Sequence, residues 1–318
     1  MSVVDCVRAE EKNLGNYLRE SIEELMIAAN NILNEESGTV GESENVRESG
    51  VEYKERVARE RDDRVWSKEM HGKFFRDVSE FACPRMYEWV KSGYVNKSTE
   101  GFLFAAQEQA LATNWLKART GVEGVDARCR KCNKQVETVA HLASGCGELA
   151  QLEYKRRHDR MGLRVYWELC RKYGIKCSEK WYEECPDEVR KSVCGEYEIW
   201  WDRPVQTPKR LEHNRPDVIV IDKRRKHWTI IDFSVPSDRN VLKKEEEKVA
   251  HYTPLSYEVR KMYKVSTKII PLVIGSLGVV TKNLERNLKY LEIPDVLGSM
   301  QISAVLGTAI ILRKVLSS

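Results

Sequence analysis

Two apolar runs joined by a short basic segment constrain the fold of this chain more than any other feature. The first run, VIVI, follows Asp217, and the second, WTII, ends at Asp232. Short runs rich in Val and Ile, with the basic turn KRRK between them, predict two adjacent β-strands. If the strands are antiparallel, both aspartates lie at the same end of the sheet. The sequence therefore predicts two carboxylates that converge beside a hairpin.

The rest of the C-terminal third also alternates between strands and helices. A further strand is predicted in EYEIWWDRPV before the hairpin and another in TKIIPLVIGSL after it, despite Pro271. Helical spacing of apolar residues covers 240–263 between hairpin and last strand, and then 284–291 and 296–316. The order β-β-β-α-β-α-α predicts a small α/β domain whose mixed sheet is flanked by helices.

The N-terminal two thirds predict a different organisation. Residues 1–33 are expected to form an amphipathic helical segment, 34–53 a flexible linker of Glu, Ser and Gly, and 54–124 a helical region. Residues 125–194 contain a Cys and His cluster with basic helices, and 195–318 contain the α/β domain. The expected fold class is thus α+β or α/β, with a helical N-terminal region, a small metal-binding module and a C-terminal sheet.

The net charge of +4 hides an uneven distribution. Residues 1–65 contain 9 basic and 16 acidic residues, 66–204 contain 24 and 21, and 205–318 contain 20 and 12. The three parts therefore carry −7, +3 and +8. A C-terminal third this basic attracts an acidic polymer such as nucleic acid, which the N-terminal part would repel.

Neither a secretory signal nor a membrane span is evident in the sequence. The first residues, MSVVDCVRAEEKN, contain acids in place of an apolar core. The longest apolar stretches, residues 269–280 and 302–312, have 12 and 11 residues, fewer than the roughly 18 to 20 that a bilayer requires. We therefore expect an intracellular protein with no membrane partner, in which these stretches are a buried strand and a buried helix.

Four potential metal ligands lie close together in RCRKCNKQVETVAHLASGC. Cys129 and Cys132 form a CxxC pair, His141 follows after eight residues and Cys146 after four more. In a chain with nine Cys and no secretory signal, this spacing favours tetrahedral Zn²⁺ over disulfides. Four protein ligands leave no vacant position, so we expect a structural zinc. The alternative is a set of unrelated buried thiols beside a hydrogen-bonded histidine.

Basic residues surround this cluster and continue after it in YKRRHDR. Such a module can contact the phosphates of nucleic acid. The alternative is a solvated helix face with no partner. The candidate contacts are Arg128, Arg130, Lys131, Arg156, Arg157 and His158.

The two converging carboxylates predict a second metal site of a different kind. Asp217 and Asp232 offer hard oxygen ligands, which suit Mg²⁺. Mg²⁺ activates water and stabilises the charge that develops on a phosphate, so such a site indicates phosphodiester hydrolysis. The alternative is that both aspartates are ordinary strand-end residues, capped or paired with Arg215 and Lys223.

A nuclease site of this kind also needs a cation, and the usual position two residues after the second acid holds Ser234. The following helix offers Lys243, Lys244 and Lys248. Lys248 is preferred because it lies about two turns into the helix, with Tyr252 four residues later on the same face. Lys244 shares that face and is the second choice. Upstream, Glu196 and Glu198 could supply a further metal contact, although a solvent-facing strand position suits either better.

Together these segments resemble the C-terminal part of a non-LTR retrotransposon polyprotein of the restriction-like-endonuclease lineage. The resemblance covers about residues 110–318 and is weaker over 1–109, which is similar to the helical region linking polymerase to knuckle. The segments that carry it are RCRKC, ETVAHLASGC and EYKRRHD for a gag-like zinc knuckle, HNRPD, IIDFSVPSD and EKVAHY for the endonuclease, and IIPLVIGSLG and QISAVLGTAIILRKVL for its end.

The resemblance implies a PD-(D/E)XK restriction-endonuclease-like fold with a relocated lysine. Asp217 and Asp232 match the metal-binding acids of the family, and Lys248 best matches the shifted lysine. Arg215 matches the basic residue before the first acid and becomes a further candidate nucleic-acid contact. The Cys and His cluster matches the knuckle, although the gap before its histidine is longer than in a retroviral knuckle.

In that family the endonuclease nicks target DNA, and the exposed 3′ end primes reverse transcription. The resemblance thus implies a nuclear, Mg²⁺-dependent DNA endonuclease with target DNA and element RNA as partners. No YxDD-type polymerase motif occurs, so we expect a fragment of the element or a copy without its polymerase, able to associate with a separate reverse transcriptase region. The alternative is a catalytically inactive, decayed or domesticated module that binds nucleic acid.

Overall fold

The computed structural model describes residues 50–177 and 185–317. The predicted helical segment 1–33 and all but the last four residues of the predicted linker 34–53 lie outside the described residues. The described residues up to Ala58 belong to one unit, and those from Arg59 onward belong to a second. Helix α1, Gly50–Trp66, includes the last four residues of the predicted linker, because its Glu- and Arg-rich sequence favours helix over coil.

Helices occupy much of residues 54–124, where the sequence predicts a helical region. It contains α2 (Lys73–Val78), α3 (Lys97–Gln107) and α4 (Asn114–Arg119), with single helical turns at Pro84–Tyr87 and Glu88–Lys91. Two of these helices begin at side-chain caps: Asn96 accepts a hydrogen bond from the N–H of Thr99, and Thr113 accepts one from Leu116. Each cap satisfies a donor that the first turn leaves without a helical partner.

A five-stranded mixed sheet forms the centre of the second unit. Its strands, β1 (Val189–Lys191), β2 (Tyr197–Trp201), β3 (Val218–Asp222), β4 (His227–Ser234) and β5 (Ser266–Val273), lie in sequence order. Neighbours from β1 to β4 are antiparallel, whereas β4 and β5 are parallel. The parallel pair requires a crossover, which α6 (Val241–Tyr263) supplies. From residue 195 onward the element order is the predicted one; the three-residue strand β1 was not predicted.

The predicted hairpin is β3 and β4. Val218 pairs with Ile231, so the residues just outside this pair, Asp217 and Asp232, lie next to each other across the two strands. The basic turn spans residues 223–226 and ends with Lys226 in the left-handed region at φ 49°. On the other side of β4, Pro271 is tolerated because β5 is an edge strand.

Helices cover both faces of the sheet, so β3 is buried along its whole length. Val218 and Val220 face α5 (Lys155–Lys172) and α8 (Val296–Leu316), with α7 (Lys282–Tyr290) at the edge of the same cluster. Ile219 and Ile221 point to the opposite face, against α6. The alternation along one strand thus builds two apolar layers, as the period of two requires.

The predicted boundaries at residues 124 and 195 do not separate independent cores. Helix α5, from the predicted zinc module, packs directly against the sheet and α8. The Cys and His segment packs with α3, α8 and the end of β5 in another shared cluster. Packing between distant parts of the chain therefore joins the helical region, the metal-binding segment and the sheet.

Among the described residues, one helix, α8, is long and apolar enough to cross a membrane. It has 21 residues with a mean hydropathy of 1.5 over its most apolar window, and 67% of that window is buried inside the protein. The core helix of a globular fold has the same length and composition. The two predicted apolar stretches are the buried strand β5, with the loop after it, and this buried helix.

The contact between α5 and the sheet gives a first prediction. A Cβ on Gly162 would lie 2.8 Å from Phe233 and 3.1 Å from Trp201. Because this space is filled, Gly162→Ala should lower the free energy of unfolding by about 1 to 3 kcal/mol in a urea titration. Gly101→Ala, on an exposed face of α3 with no atom within 4 Å, is the control and should raise it by about 0.5 to 1 kcal/mol. Equal effects of both changes would contradict this packing.

Candidate functional site

The four predicted zinc ligands come together. One ligand atom from each of Cys129, Cys132, His141 and Cys146 lies within 4.8 Å of the others. The Sγ atoms of Cys129 and Cys146 are 3.9 Å apart, and Cys132 Sγ lies 3.4 Å from His141 Nε2. Three sulfurs and one imidazole nitrogen in this arrangement could hold a metal ion such as zinc, with no open coordination position.

Local structure explains how the ligands reach this geometry. The CxxC turn is closed by the Asn133 N–H, which donates to the carbonyl of Cys129, with Asn133 in the left-handed region. His141 begins a π-helical turn, His141–Gly145, which carries the chain back to Cys146. The Nδ1 atom of His141 lies 3.0 Å from the side-chain oxygen of Gln135, so Nε2 faces the thiols.

Burial shifts the pKa values of His141 and Cys146 toward their uncharged forms. It lowers the pKa of His141, so the imidazole is neutral and its Nε2 can act as a ligand. It raises the pKa of Cys146 to about 11. The pKa of Cys132 is lowered, chiefly because the backbone N–H of Lys134 donates to its sulfur. Cys129 and Cys146 are both buried. A metal ion bound between such thiols would supply the positive charge that stabilises their thiolate forms.

Two of the predicted phosphate contacts have structural roles instead. Arg130 forms an ion pair with the fully buried Glu137 at 2.8 Å and also donates to the carbonyl of Val315 at the end of α8. Arg157 is 2% exposed and donates to the carbonyls of Ala143 and Val235. The prediction that Arg157 contacts phosphate is therefore wrong, and Arg130 is engaged within the protein.

The other basic candidates remain on the surface. Lys131 and Arg156 are exposed, and Arg128 is exposed with an ion pair to Asp126 at 2.9 Å. Arg215 is exposed and contacts Asp202 at 2.8 Å. These four side chains are accessible to a nucleic acid, whereas a basic sequence run alone could not distinguish them from the buried arginines.

The two predicted carboxylates also converge. Asp217 and Asp232 lie side by side at the end of β3 and β4, and the backbone N–H of Phe233 donates to Asp217 Oδ2 at 2.7 Å. Asp232 is 2% exposed, whereas the side chain of Asp217 is 20% exposed. The pair therefore has one deep member and one that reaches the surface.

Helix α6 brings the preferred lysine to this pair. Lys248 Nζ lies 2.5 Å from Asp232 Oδ2, and the hydroxyl of Tyr252, one turn later, donates to Asp232 Oδ1 at 2.7 Å. Lys244 instead pairs with Glu247 at 2.6 Å, and Lys243 is exposed. Of the three lysines considered from the sequence, Lys248 is the one in contact with the carboxylates.

Electrostatics at this pair favour an additional cation. Burial raises the pKa of Asp232, and the neighbouring charge of Asp217 raises it further, against the opposing effects of Lys248 and Tyr252. Burial and Asp232 also raise the pKa of Tyr252, so its hydroxyl stays protonated and donates. Apart from the ion pair with Lys248, Asp232 Oδ2 receives no hydrogen bond from the described residues. Burial and the adjacent carboxylate thus disfavour the charged form of Asp232 more than Lys248 and Tyr252 favour it, and a bound cation would offset this.

His158, at the start of α5, contacts the same pair and not a phosphate-binding surface. Its Nε2 lies 3.1 Å from Asp217 Oδ2 and its Nδ1 3.0 Å from Asp159 Oδ1. Burial opposes the charged imidazole, but the hydrogen bonds to Asp159 and Asp217 outweigh it and raise the pKa of His158 to about 10. No local sequence pattern predicts this contact, because His158 and Asp217 are 59 residues apart in the chain.

The simpler pairing expected for the aspartates does not occur in the described structure. Arg215 contacts Asp202, and Lys223 pairs with Glu198 at 2.6 Å. Glu198 pairs across the strands with Ile221, at the end of β3 opposite Asp217. Glu198 therefore does not join the carboxylate pair.

The cysteine cluster gives a second prediction. The purified chain should contain one zinc per molecule by elemental analysis. Cys146→Ser should lose that zinc and melt roughly 10 °C lower, because metal binding contributes to folding. Cys194→Ser, which changes an exposed thiol outside the cluster, should retain both metal and melting temperature. A zinc-free wild-type chain with the same melting temperature would contradict a structural metal.

The described residues therefore contain two separate clusters. One consists of three cysteines and His141, and the other of Asp217, Asp232, Lys248 and His158. A comparison of this chain with protein-family models found no match, and neither did a comparison with curated proteins. Its function has to be inferred from the chemistry of these two clusters.

Proposed function

We propose that this chain is a Mg²⁺-dependent DNA endonuclease of the non-LTR retrotransposon type. The observation that carries the proposal is the convergence of Asp217, Asp232 and Lys248 from two adjacent strands and the next helix. Two acids and a lysine can bind a hard cation and offset charge at a phosphate. Further support comes from the mixed sheet with helices on both faces, the arrangement expected of a PD-(D/E)XK nuclease.

The donor set fits Mg²⁺. Asp217 Oδ1 accepts no hydrogen bond from the described residues and is available to a metal. Asp232 Oδ2 lies 2.5 Å from Lys248 Nζ, so a metal bound there would share this oxygen with the lysine. Asp217 and Asp232 would hold Mg²⁺, which lowers the pKa of a bound water and offsets charge on the scissile phosphate. The cysteine cluster, with its soft ligands and closed coordination, suits a structural ion instead.

Each protein group then has a defined task in hydrolysis. Water adds to phosphorus, the bond to the 3′ oxygen breaks, and the 3′ oxygen takes up a proton. Lys248 places a positive charge beside Asp232, where charge develops on a phosphate oxygen. Tyr252 holds Asp232 by its hydrogen bond and fixes the direction of the carboxylate. The products are a 5′ phosphate and a free 3′ hydroxyl, which is the end that a reverse transcriptase extends.

Nucleic acid is the proposed partner because the C-terminal third is basic and four of the candidate basic side chains are exposed. Arg215 lies two residues before Asp217, and Arg128, Lys131 and Arg156 are exposed in or after the cysteine cluster. Contacts from such side chains to phosphates are independent of sequence and weaken with salt. Target DNA and element RNA are proposed partners on this basis. The resemblance to the retrotransposon family leads us to propose a reverse transcriptase region as a further partner and the nucleus as the compartment.

A nucleic-acid-binding module without catalysis is the second candidate. It is favoured by the pairing within the site itself, since Lys248 already contacts Asp232 and His158 already contacts Asp217. Both carboxylates then have cationic partners without a metal. The absence of a lysine two residues after Asp232, where Ser234 stands, favours the same candidate.

The nuclease proposal predicts Mg²⁺-dependent nicking of supercoiled plasmid by the full chain. Asp217→Asn and Asp232→Asn remove ligand charge, and Lys248→Met removes the cation. Each change should reduce the nicking rate on the order of 100-fold or more. Lys244→Ala is the matched control on the same helix and should nick at the wild-type rate, because Lys244 pairs with Glu247.

Nicking that persists in Asp232→Asn, or that a chelator of Mg²⁺ leaves unchanged, would overturn the proposed mechanism. Salt-sensitive DNA binding by the wild-type chain with no cleavage in Mg²⁺ or Mn²⁺ would establish the second candidate instead.

A further inference from the structure

The start of α5 joins the cysteine cluster to the carboxylate pair. Tyr154, Arg157 and His158 lie within five consecutive residues, just after the last zinc ligand candidate. Tyr154 contacts the cysteine segment, and His158 contacts Asp217. Arg157 contacts the carbonyls of Ala143, between two candidate zinc ligands, and of Val235, just after β4. One rigid helical turn therefore links two sites that the sequence presents as separate modules.

Tyr154 fixes the helix to the cysteine segment. Its hydroxyl accepts a hydrogen bond from the N–H of Cys146 at 3.0 Å. The same hydroxyl lies 2.9 Å from the carbonyl of Leu142 and 3.1 Å from that of His141, within reach to donate. Two of these partners are candidate metal ligands, so the position of Tyr154 depends on the fold of the metal-binding turn.

Arg157 connects the cysteine segment to the residue that follows β4. Its guanidinium donates to the carbonyl of Ala143 at 2.7 Å and to that of Val235, three residues after Asp232, at 3.1 Å. Gly307 on α8 provides the space, since a Cβ there would lie 2.5 Å from Arg157 Cγ. A buried cation bonded on both sides holds the two segments at a fixed distance.

His158 then acts on one oxygen of Asp217. Both His158 Nε2 and the Phe233 N–H contact Asp217 Oδ2, at 3.1 and 2.7 Å. With that oxygen held by two donors, the carboxylate cannot rotate freely, and Oδ1 remains available to a metal. Partners of this kind, which hold a ligand without touching the metal, typically change metal affinity 10- to 100-fold when removed.

We propose that His158 is the positioning residue of the carboxylate metal site, and that the metal-loaded cysteine cluster sets its position through Tyr154 and Arg157. The cluster is then a structural part of the nuclease centre and not only a nucleic-acid contact. This inference rests on the proposed Mg²⁺ site at Asp217 and Asp232.

The test measures Mn²⁺ affinity of the full chain by electron paramagnetic resonance of free Mn²⁺, with Mg²⁺ as competitor. Binding to Asp217→Asn/Asp232→Asn supplies the background. His158→Ala should weaken the site-specific affinity 10- to 100-fold. His158→Gln should recover most of it, because its amide can donate to Asp217 Oδ2. His227→Ala, at the other end of β4, is the matched control and should bind as wild type.

Removal of zinc by a chelator should weaken Mn²⁺ binding as much as His158→Ala does. In the His158→Ala chain, zinc removal should cause no further loss, because both changes act on the same contact. Tyr154→Phe keeps the ring and removes only the hydroxyl, and it should give an intermediate loss with zinc still bound. Equal secondary structure by circular dichroism shows that these chains remain folded.

The outcomes separate this inference from the proposed function. Weaker Mn²⁺ binding in His158→Ala together with no nicking by wild type would support the positioning role and overturn the nuclease. Wild-type nicking with equal Mn²⁺ affinity in wild type and His158→Ala would overturn the positioning role and leave the nuclease. An equal loss in His158→Ala and His158→Gln, or additive losses from zinc removal and His158→Ala, would also overturn it.

Discussion

The antiparallel pairing of β3 with β4 is the constraint on which the rest of the site depends. Because Val218 pairs with Ile231, the two aspartates fall on adjacent positions at one end of the sheet. A shift of the pairing by one residue would turn every side chain of one strand to the other face. The apolar layers on both faces of the sheet oppose such a shift, so packing far from the carboxylates maintains their convergence.

Much of this arrangement follows from local sequence patterns. The hairpin, the four ligands of the cysteine cluster and Lys248 on the helix after β4 are all local, with spacing that a turn, a strand or a helix fixes. The contact of His158 with Asp217 depends instead on how α5 packs against the sheet, which no periodicity encodes. The packing of α5 across the predicted boundaries depends on the same kind of distant contact, since the apolar face of α5 does not show which sheet will cover it.

Charge count was a poor guide to where the basic residues act. Arg157 lies within the run YKRRHDR and is 2% exposed, whereas Arg156 beside it is exposed. Burying a guanidinium requires hydrogen-bond acceptors in place of water, and carbonyls from two segments supply them here. Arg130 is also engaged within the protein, by an ion pair with the fully buried Glu137. Part of the basic character of this region therefore stabilises the fold, and the surface open to nucleic acid is smaller than the sequence indicates.

The position of Lys248 on a helix affects how such a site can change during evolution. Residues four apart on α6 share one face, as Lys244, Lys248 and Tyr252 do. During evolution a lysine can therefore be replaced by one a whole helical turn away, and its side chain still points to the same side of the helix. In a strand, a move by one residue reverses the side chain. A lysine carried by a helix therefore tolerates drift in sequence spacing that a strand-borne lysine does not, and a motif with fixed spacing after the second acid overlooks it.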